Sequence, residues 1–195
     1  MPSIALFGTS ADPPTAGHQR ILRWLSYRFD IVLAWASDNP FKPNQTPIVH
    51  RASMLRLLVT DIQPQRSNIH CDQTLSYPKT IYTLEQAQQR YPSARFTLAV
   101  GSDLIAQLPT WYRSQDLLAQ VDLLVFPRPG YPATPEALNL LRQLGAAVIL
   151  ADITGLPVSS SAYRKDGDSA AITAPIKDYI HREHLYACQD IPERT

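Results

Sequence analysis

Two short segments of this sequence carry residues that can grip phosphate without any nucleophile. The first is Thr15-Ala16-Gly17-His18, which closes the stretch Gly8-Thr9-Ser10-Ala11-Asp12-Pro13-Pro14. A residue before proline avoids the α region, so Asp12-Pro13-Pro14 reads as extended or turning chain. Thr15 then suits the cap of a helix that begins directly after it, which puts His18 in the first turn. The unbonded N–H groups of a helix start attract an anion, and the imidazole adds a side-chain donor beside them. The second segment is Val158-Ser159-Ser160-Ser161-Ala162-Tyr163-Arg164-Lys165. Its serines suit the start of a short helix ending before Gly167, and Arg164 and Lys165 can donate to phosphate oxygens. Taken singly, each segment also fits a plainer reading as a capped surface helix. Placed after strands of one sheet, the two can converge on one polyphosphate.

The elements needed to place them so are readable from hydrophobic period. Apolar runs at 4–7, 31–36, 69–71, 96–100, 123–126 and 147–150 read as strands. Helical spacing appears over 17–29 (Ile21, Leu22, Trp24, Leu25, Phe29), 51–62, 83–90 and 135–144, the last with Pro135 at its start and Gly145 just beyond its end. Apolar strands separated by helices predict an α/β fold, a Rossmann-like doubly wound parallel sheet with helices on both faces. Ligands of such sheets bind at the carboxyl ends of the strands. The loops after residues 7, 36, 100, 126 and 150 are therefore the places to look for a site. Neither GxxxxGK[ST] nor GxGxxG occurs in the first of them.

Composition excludes several classes. Apolar residues are 45% of 195 and the formal net charge is +1, values of a globular chain without the field of a nucleic-acid or acidic-membrane binder. Seventeen prolines are too dispersed for a low-complexity tail, and no apolar run approaches the roughly 20 residues of a membrane span. Cys71 and Cys188 make neither a disulfide framework nor zinc spacing. The start MPSIALFG lacks a basic region, so no signal peptide is expected and a cytoplasmic setting is the default. One domain over 1–187 with a short tail at 188–195 is expected, since no linker or repeat divides the chain.

At this point the sequence resembles the nucleotidyltransferase superfamily marked by (H/T)xGH and [IV]SS[ST]xxR. More narrowly, it is similar to the bacterial nicotinate-nucleotide adenylyltransferases. Gly101-Ser102-Asp103-Leu104 with Pro109-Thr110-Trp111-Tyr112 is similar to that family's GxDxL…PTWY, and Pro127-Arg128-Pro129-Gly130-Tyr131 to its RRPGY. Thr80-Ile81-Tyr82-Thr83-Leu84 resembles a degraded SYTxDTL. The chain departs from FGGTFDPxHxGH in lacking one glycine, in Ala11 for Phe and in Thr15 for the first His. Lys79 and Tyr82 stand where Tyr and Asp are usual.

The resemblance implies transfer of the adenylyl group of ATP to nicotinate mononucleotide, with deamido-NAD and pyrophosphate as products and Mg²⁺ held mainly by the ATP phosphates. It places His18, Thr15 and Arg164 at the reacting phosphates, and Gly8, Thr9, Gly17, Gly101, Asp103, Arg128, Ser160 and Ser161 around ATP. Trp111 and Tyr112 would wall the pyridine ring, with Thr80 and Lys79 near its carboxylate. Lys42 and Arg51 are cations for the acceptor side; each of these and Arg128 reads equally well as a solvated surface charge. Trp24 and Trp35 fall in core-periodic segments, and His50, His70, His181 and His184 lack metal spacing. Two alternatives stay open: another phosphorylated acceptor such as nicotinamide mononucleotide or phosphopantetheine, and a nucleotide-binding sensor without turnover. The sequence leaves room for a homo-oligomer.

Overall fold

The inner strands of the sheet are apolar over most of their length because both of their faces are covered, whereas the edge strand at 147–150 stays largely exposed. The structure, a computed structural model, describes residues 1–38, 44–153 and 158–186. In chain order the elements are β1 (Ser3–Thr9), α1 (Ala16–Ser26), β2 (Ile31–Ala36), α2 (Ile48–Thr60), β3 (Ile69–Cys71), α3 (Thr80–Arg90), β4 (Arg95–Gly101) and α4 (Ser114–Leu118). They continue with β5 (Asp122–Phe126), α5 (Pro135–Gln143), β6 (Ala147–Leu150), α6 (Ser160–Asp166) and α7 (Ala174–Arg182). The six strands are parallel, in the order β3-β2-β1-β4-β5-β6. This is the doubly wound order expected of the alternating pattern.

Side chains alternate across each strand and build two cores. Ala5 and Phe7 of β1, with Val32 and Ala34 of β2, meet Leu22, Leu25, Leu55, Leu58, Ile176 and Ile180, so α1, α2 and α7 cover one face. Ile4, Leu6, Leu33 and Trp35 meet Leu84, Leu117, Leu118, Leu138 and Leu141, so α3, α4 and α5 cover the other. Helix α7 is not among the expected elements, although Ile176, Tyr179 and Ile180 have the spacing of a buried stripe behind Pro175. Helix α3 begins at Thr80, one turn before the expected Thr83. No described helix is long and apolar enough to cross a membrane. The expected tail at 188–195 lies outside the described residues.

Candidate active site

The sheet opens where its winding reverses. Registered pairing of β1 with β4 ends at Leu6↔Leu98, whereas β1 stays paired with β2 as far as Thr9↔Ala36. The last residues of β1 and β4 therefore diverge, and a cleft of about 940 Å³ lies between them. It is lined by Phe7–Asp12, Thr15, Gly17 and His18 on the β1 side and by Leu98–Gly101 on the β4 side, with Val158–Ser161 and Arg164 closing one end. Gly8 lies directly over the Trp35 indole, where a Cβ would come within 2.7 Å of the ring. The cleft floor is thus bare backbone resting on an aromatic plane, and Trp35 serves the cleft as well as the core.

Thr15 caps α1 as expected, with extended φ/ψ before the first helical residue. Its backbone N–H donates to His18 Nδ1 at 3.0 Å, and its hydroxyl lies 2.8 Å from the same nitrogen. A ring nitrogen that accepts a backbone N–H carries no proton, so the proton of the neutral ring sits on Nε2. This tautomer follows from the hydrogen-bond network around the ring. Helix α1 thereby turns its own N3 side chain into a donor at the cleft.

The second motif folds back on the first. Ser159 caps α6 by accepting from Ala162 N–H at 3.0 Å. The Ser160 hydroxyl donates to the Pro13 carbonyl at 2.8 Å, and an Arg164 Nη1–H donates to the Asp12 carbonyl. A Cβ added at Gly17 would lie 3.4 Å from Val158 Cγ2. Ser160 and Arg164 are therefore latched to the β1 loop as well as facing the cleft. Asp12 itself is buried, with Tyr186 donating its hydroxyl to Oδ1 at 2.7 Å. Burial pushes the Tyr186 phenol well above its ordinary range.

The other end of the cleft is built from the loops after β4 and β5. Arg128 pairs with Asp103 Oδ2 at 2.8 Å, and its backbone N–H donates to Ser102 Oγ at 2.9 Å. Asp103 Oδ1 is buried without a hydrogen-bond partner among the described residues. A Cβ at Gly101 would fall 2.3 Å from that oxygen and 2.8 Å from Arg128 Cδ, so a side chain there would displace the Asp103–Arg128 pair. Beyond it Trp111 packs on the α3/α4 core, while Tyr112 is exposed with its ring centroid 5.9 Å from that of Tyr82. The hydrogen bond between the two phenols pushes the Tyr82 hydroxyl above its ordinary value. Lys79 Nζ lies 5.9 Å from the Tyr112 ring, and Thr80 opens α3 beside it.

Of the residues expected at the catalytic, ATP and acceptor positions, all but Lys42 and Arg51 line this cleft; Lys165, offered as a second phosphate donor, does not. Lys42 lies outside the described residues. Arg51 is a correction to both of its expected readings, phosphate partner and solvated cation. It is 1% exposed, donates to the carbonyls of Ser10, Ser37 and Thr46, and pairs with Asp38. Its guanidinium is consumed in tying the β1–α1 loop to both ends of the β2–α2 connection. His50 bonds to the Tyr179 hydroxyl at 3.0 Å, a structural role as expected. The sequence reading missed Asp12 and Tyr186 as partners of the site. Asp12 stood inside the first motif, but nothing local linked it to residue 186.

A parallel sheet split at its switch point, with a TxGH helix start on one lip and a Ser/Arg helix at one end, defines a nucleotide-binding protein of the nucleotidyltransferase class. Comparison with known proteins narrows this. The cytidylyltransferase-like family matches residues 6–166. A probable nicotinate-nucleotide adenylyltransferase of Synechocystis is 42% identical over 94% of this chain and 98% of its own. The nicotinate-nucleotide adenylyltransferase of Bacillus subtilis is 27% identical over 95% and 99%. In fold, the chain is similar to a Plasmodium falciparum nicotinic acid mononucleotide adenylyltransferase solved with NaAD, with a TM-score of 0.82 at 21% identity over 96% and 98% of the two chains. The chain belongs to the nicotinate-nucleotide adenylyltransferases of the cytidylyltransferase-like family.

Proposed function

We propose that this protein transfers the adenylyl group of ATP to nicotinate mononucleotide, forming deamido-NAD and pyrophosphate in NAD biosynthesis. The observation that carries the reading is a single cleft with phosphate donors at one end and an aromatic wall at the other. An oxygen of the mononucleotide 5′-phosphate forms a bond to the α-phosphorus of ATP. The bond from that phosphorus to the α–β bridging oxygen breaks, and pyrophosphate leaves with the electron pair. The attacking phosphate is already ionised, so the protein needs no general base. Its work is to hold two anions in line and to meet charge on the phosphoryl oxygens.

The residues divide accordingly. His18 Nε2–H and the backbone at Gly8 and Thr9 face the α-phosphate, with Gly17 leaving room beside Thr15. Arg164 and Ser161, whose polar atoms lie 3.5 Å apart, take the outer phosphates of ATP. The unpartnered Asp103 Oδ1 accepts from a ribose hydroxyl, with Arg128 holding its other oxygen. Trp111 and Tyr112 stack on the pyridine ring, and Thr80 and Lys79 donate to its carboxylate. Mg²⁺, on this reading, enters on the phosphates of ATP as part of the substrate.

The test is pyrophosphate release from ATP and Mg²⁺ with nicotinate mononucleotide, nicotinamide mononucleotide or phosphopantetheine as acceptor. The two pyridine acceptors differ chiefly as carboxylate against carboxamide. A stacking wall binds both, whereas donors suited to a carboxylate leave the amide NH₂ facing another donor. Nicotinate mononucleotide is expected to have the higher kcat/KM, by more than the roughly 1–3 kcal/mol that shape alone supplies. Equal values, or preference for the amide, would overturn the acid reading. Release with none of the three would make the protein a nucleotide binder.

A further inference from the structure

The turn after α7 reaches back to the polyphosphate end of the cleft through one side chain. Tyr186 stacks edge-on against Tyr163 of α6, with ring centroids 6.1 Å apart, and donates its hydroxyl to Asp12 Oδ1 at 2.7 Å. Asp12 is 4% exposed, so its carboxylate depends on protein donors. Its other oxygen accepts the Thr46 N–H at 3.4 Å and lies 3.9 Å from Arg164 Nη1. That last distance is beyond a charge-assisted hydrogen bond, which closes to about 2.7–2.9 Å. Arg164 is instead held by the Asp12 main-chain carbonyl and keeps 39% of its side chain exposed to the cleft.

A buried carboxylate and a substrate polyphosphate thus compete for one guanidinium. We propose that Tyr186 is a positioning residue: by satisfying Asp12 it keeps Arg164 available to the phosphates of ATP. This rests on the reading of Arg164 as a ligand of ATP given above. Without the phenol, Asp12 Oδ2 keeps one long hydrogen bond from Thr46 among the described residues, and the nearest strong donor among them is Arg164. The guanidinium then closes on the carboxylate and turns from the cleft.

Tyr186→Phe removes one oxygen and leaves the ring against Tyr163. It is expected to weaken ATP binding about tenfold, the scale of one charge-assisted hydrogen bond. Calorimetric titration with MgATP reads this directly. KM for the mononucleotide, and kcat at saturating ATP, should stay within about twofold of the parent. In an Asp12→Asn background, where no carboxylate draws the arginine, adding Tyr186→Phe should leave ATP affinity unchanged. An unchanged affinity in Tyr186→Phe, or the same loss in both backgrounds, would overturn the proposal. So would a lowered melting temperature with KM for both substrates rising together. The titration needs no acceptor, so it separates this idea from the choice of acceptor. A parent protein that binds MgATP but turns over no acceptor would refute the proposed function and leave the role of Tyr186 to the cycle.

Discussion

His18 is oriented by the helix it sits on. The Thr15 N–H, which a helix start leaves without an intrahelical partner, donates to Nδ1 and leaves Nε2 protonated. A donor that strengthens as charge gathers on phosphoryl oxygens acts on turnover more than on binding. His18→Ala should therefore lower kcat on the order of 10²–10³-fold, about 3–4 kcal/mol, with KM for ATP changed much less. Nitrogen NMR of the parent protein should show the Nε2–H form. Near-native turnover of the variant would remove His18 from the reaction. The place of His18 was legible because Pro14 and Thr15 together mark a helix start. Its tautomer was not, since that depends on the fold of the turn and not on the residue types. The aromatic pair was legible as a pair, but which of Trp111 and Tyr112 packs inward depends on the neighbouring α3/α4 core.

Elements meet at this site through Arg51, which α2 projects into the junction of the β1–α1 and β2–α2 connections. Its acceptors are the carbonyl of Ser10 in the first connection and those of Ser37 and Thr46 at the two ends of the second, a convergence that the residue types around Arg51 do not announce. Truncation to Ala would strand these carbonyls and leave Asp38 unpaired. Each buried acceptor left unmet costs about 1–3 kcal/mol, whereas Asp38, 69% exposed, is solvated when unpaired, so the expected total is about 3–5 kcal/mol. That corresponds to a Tm lower by roughly 10 °C for a chain of this size. Arg51→Lys should recover little, because an ammonium cannot reach this forked set of acceptors. Unchanged thermal stability with lost phosphate affinity would restore the role expected from sequence. The short α4 and the terminal α7 escaped detection for a different reason: one is five residues long, and the other follows a helix–turn segment with no strand to announce it.

For the whole molecule, the parallel sheet was legible because its strands are short apolar runs between helices: β2, covered on both faces, falls on the expected residues, and so does β6, although that edge strand is largely exposed. Sheet packing also sets a response to pH. Burial at the end of β3 pushes the Cys71 thiol from its ordinary 9.0 up to about 11. The folded chain therefore holds this proton more tightly than the unfolded chain. Its contribution to stability is complete below pH 9.0 and is lost as pH rises through about 11, because the unfolded thiol ionises first. Denaturant midpoints should fall over that window in the parent, and the fall should be smaller in Cys71→Ala. Parallel curves for the two would exclude the thiol. The contact between Gly8 and the Trp35 ring has a consequence on a longer timescale. Because the indole occupies the space a methyl at position 8 would need, the two positions are bound to change as a pair over descent. A side chain gained at 8 would have to be matched by a shifted or smaller ring at 35, so glycine is expected to persist opposite a tryptophan.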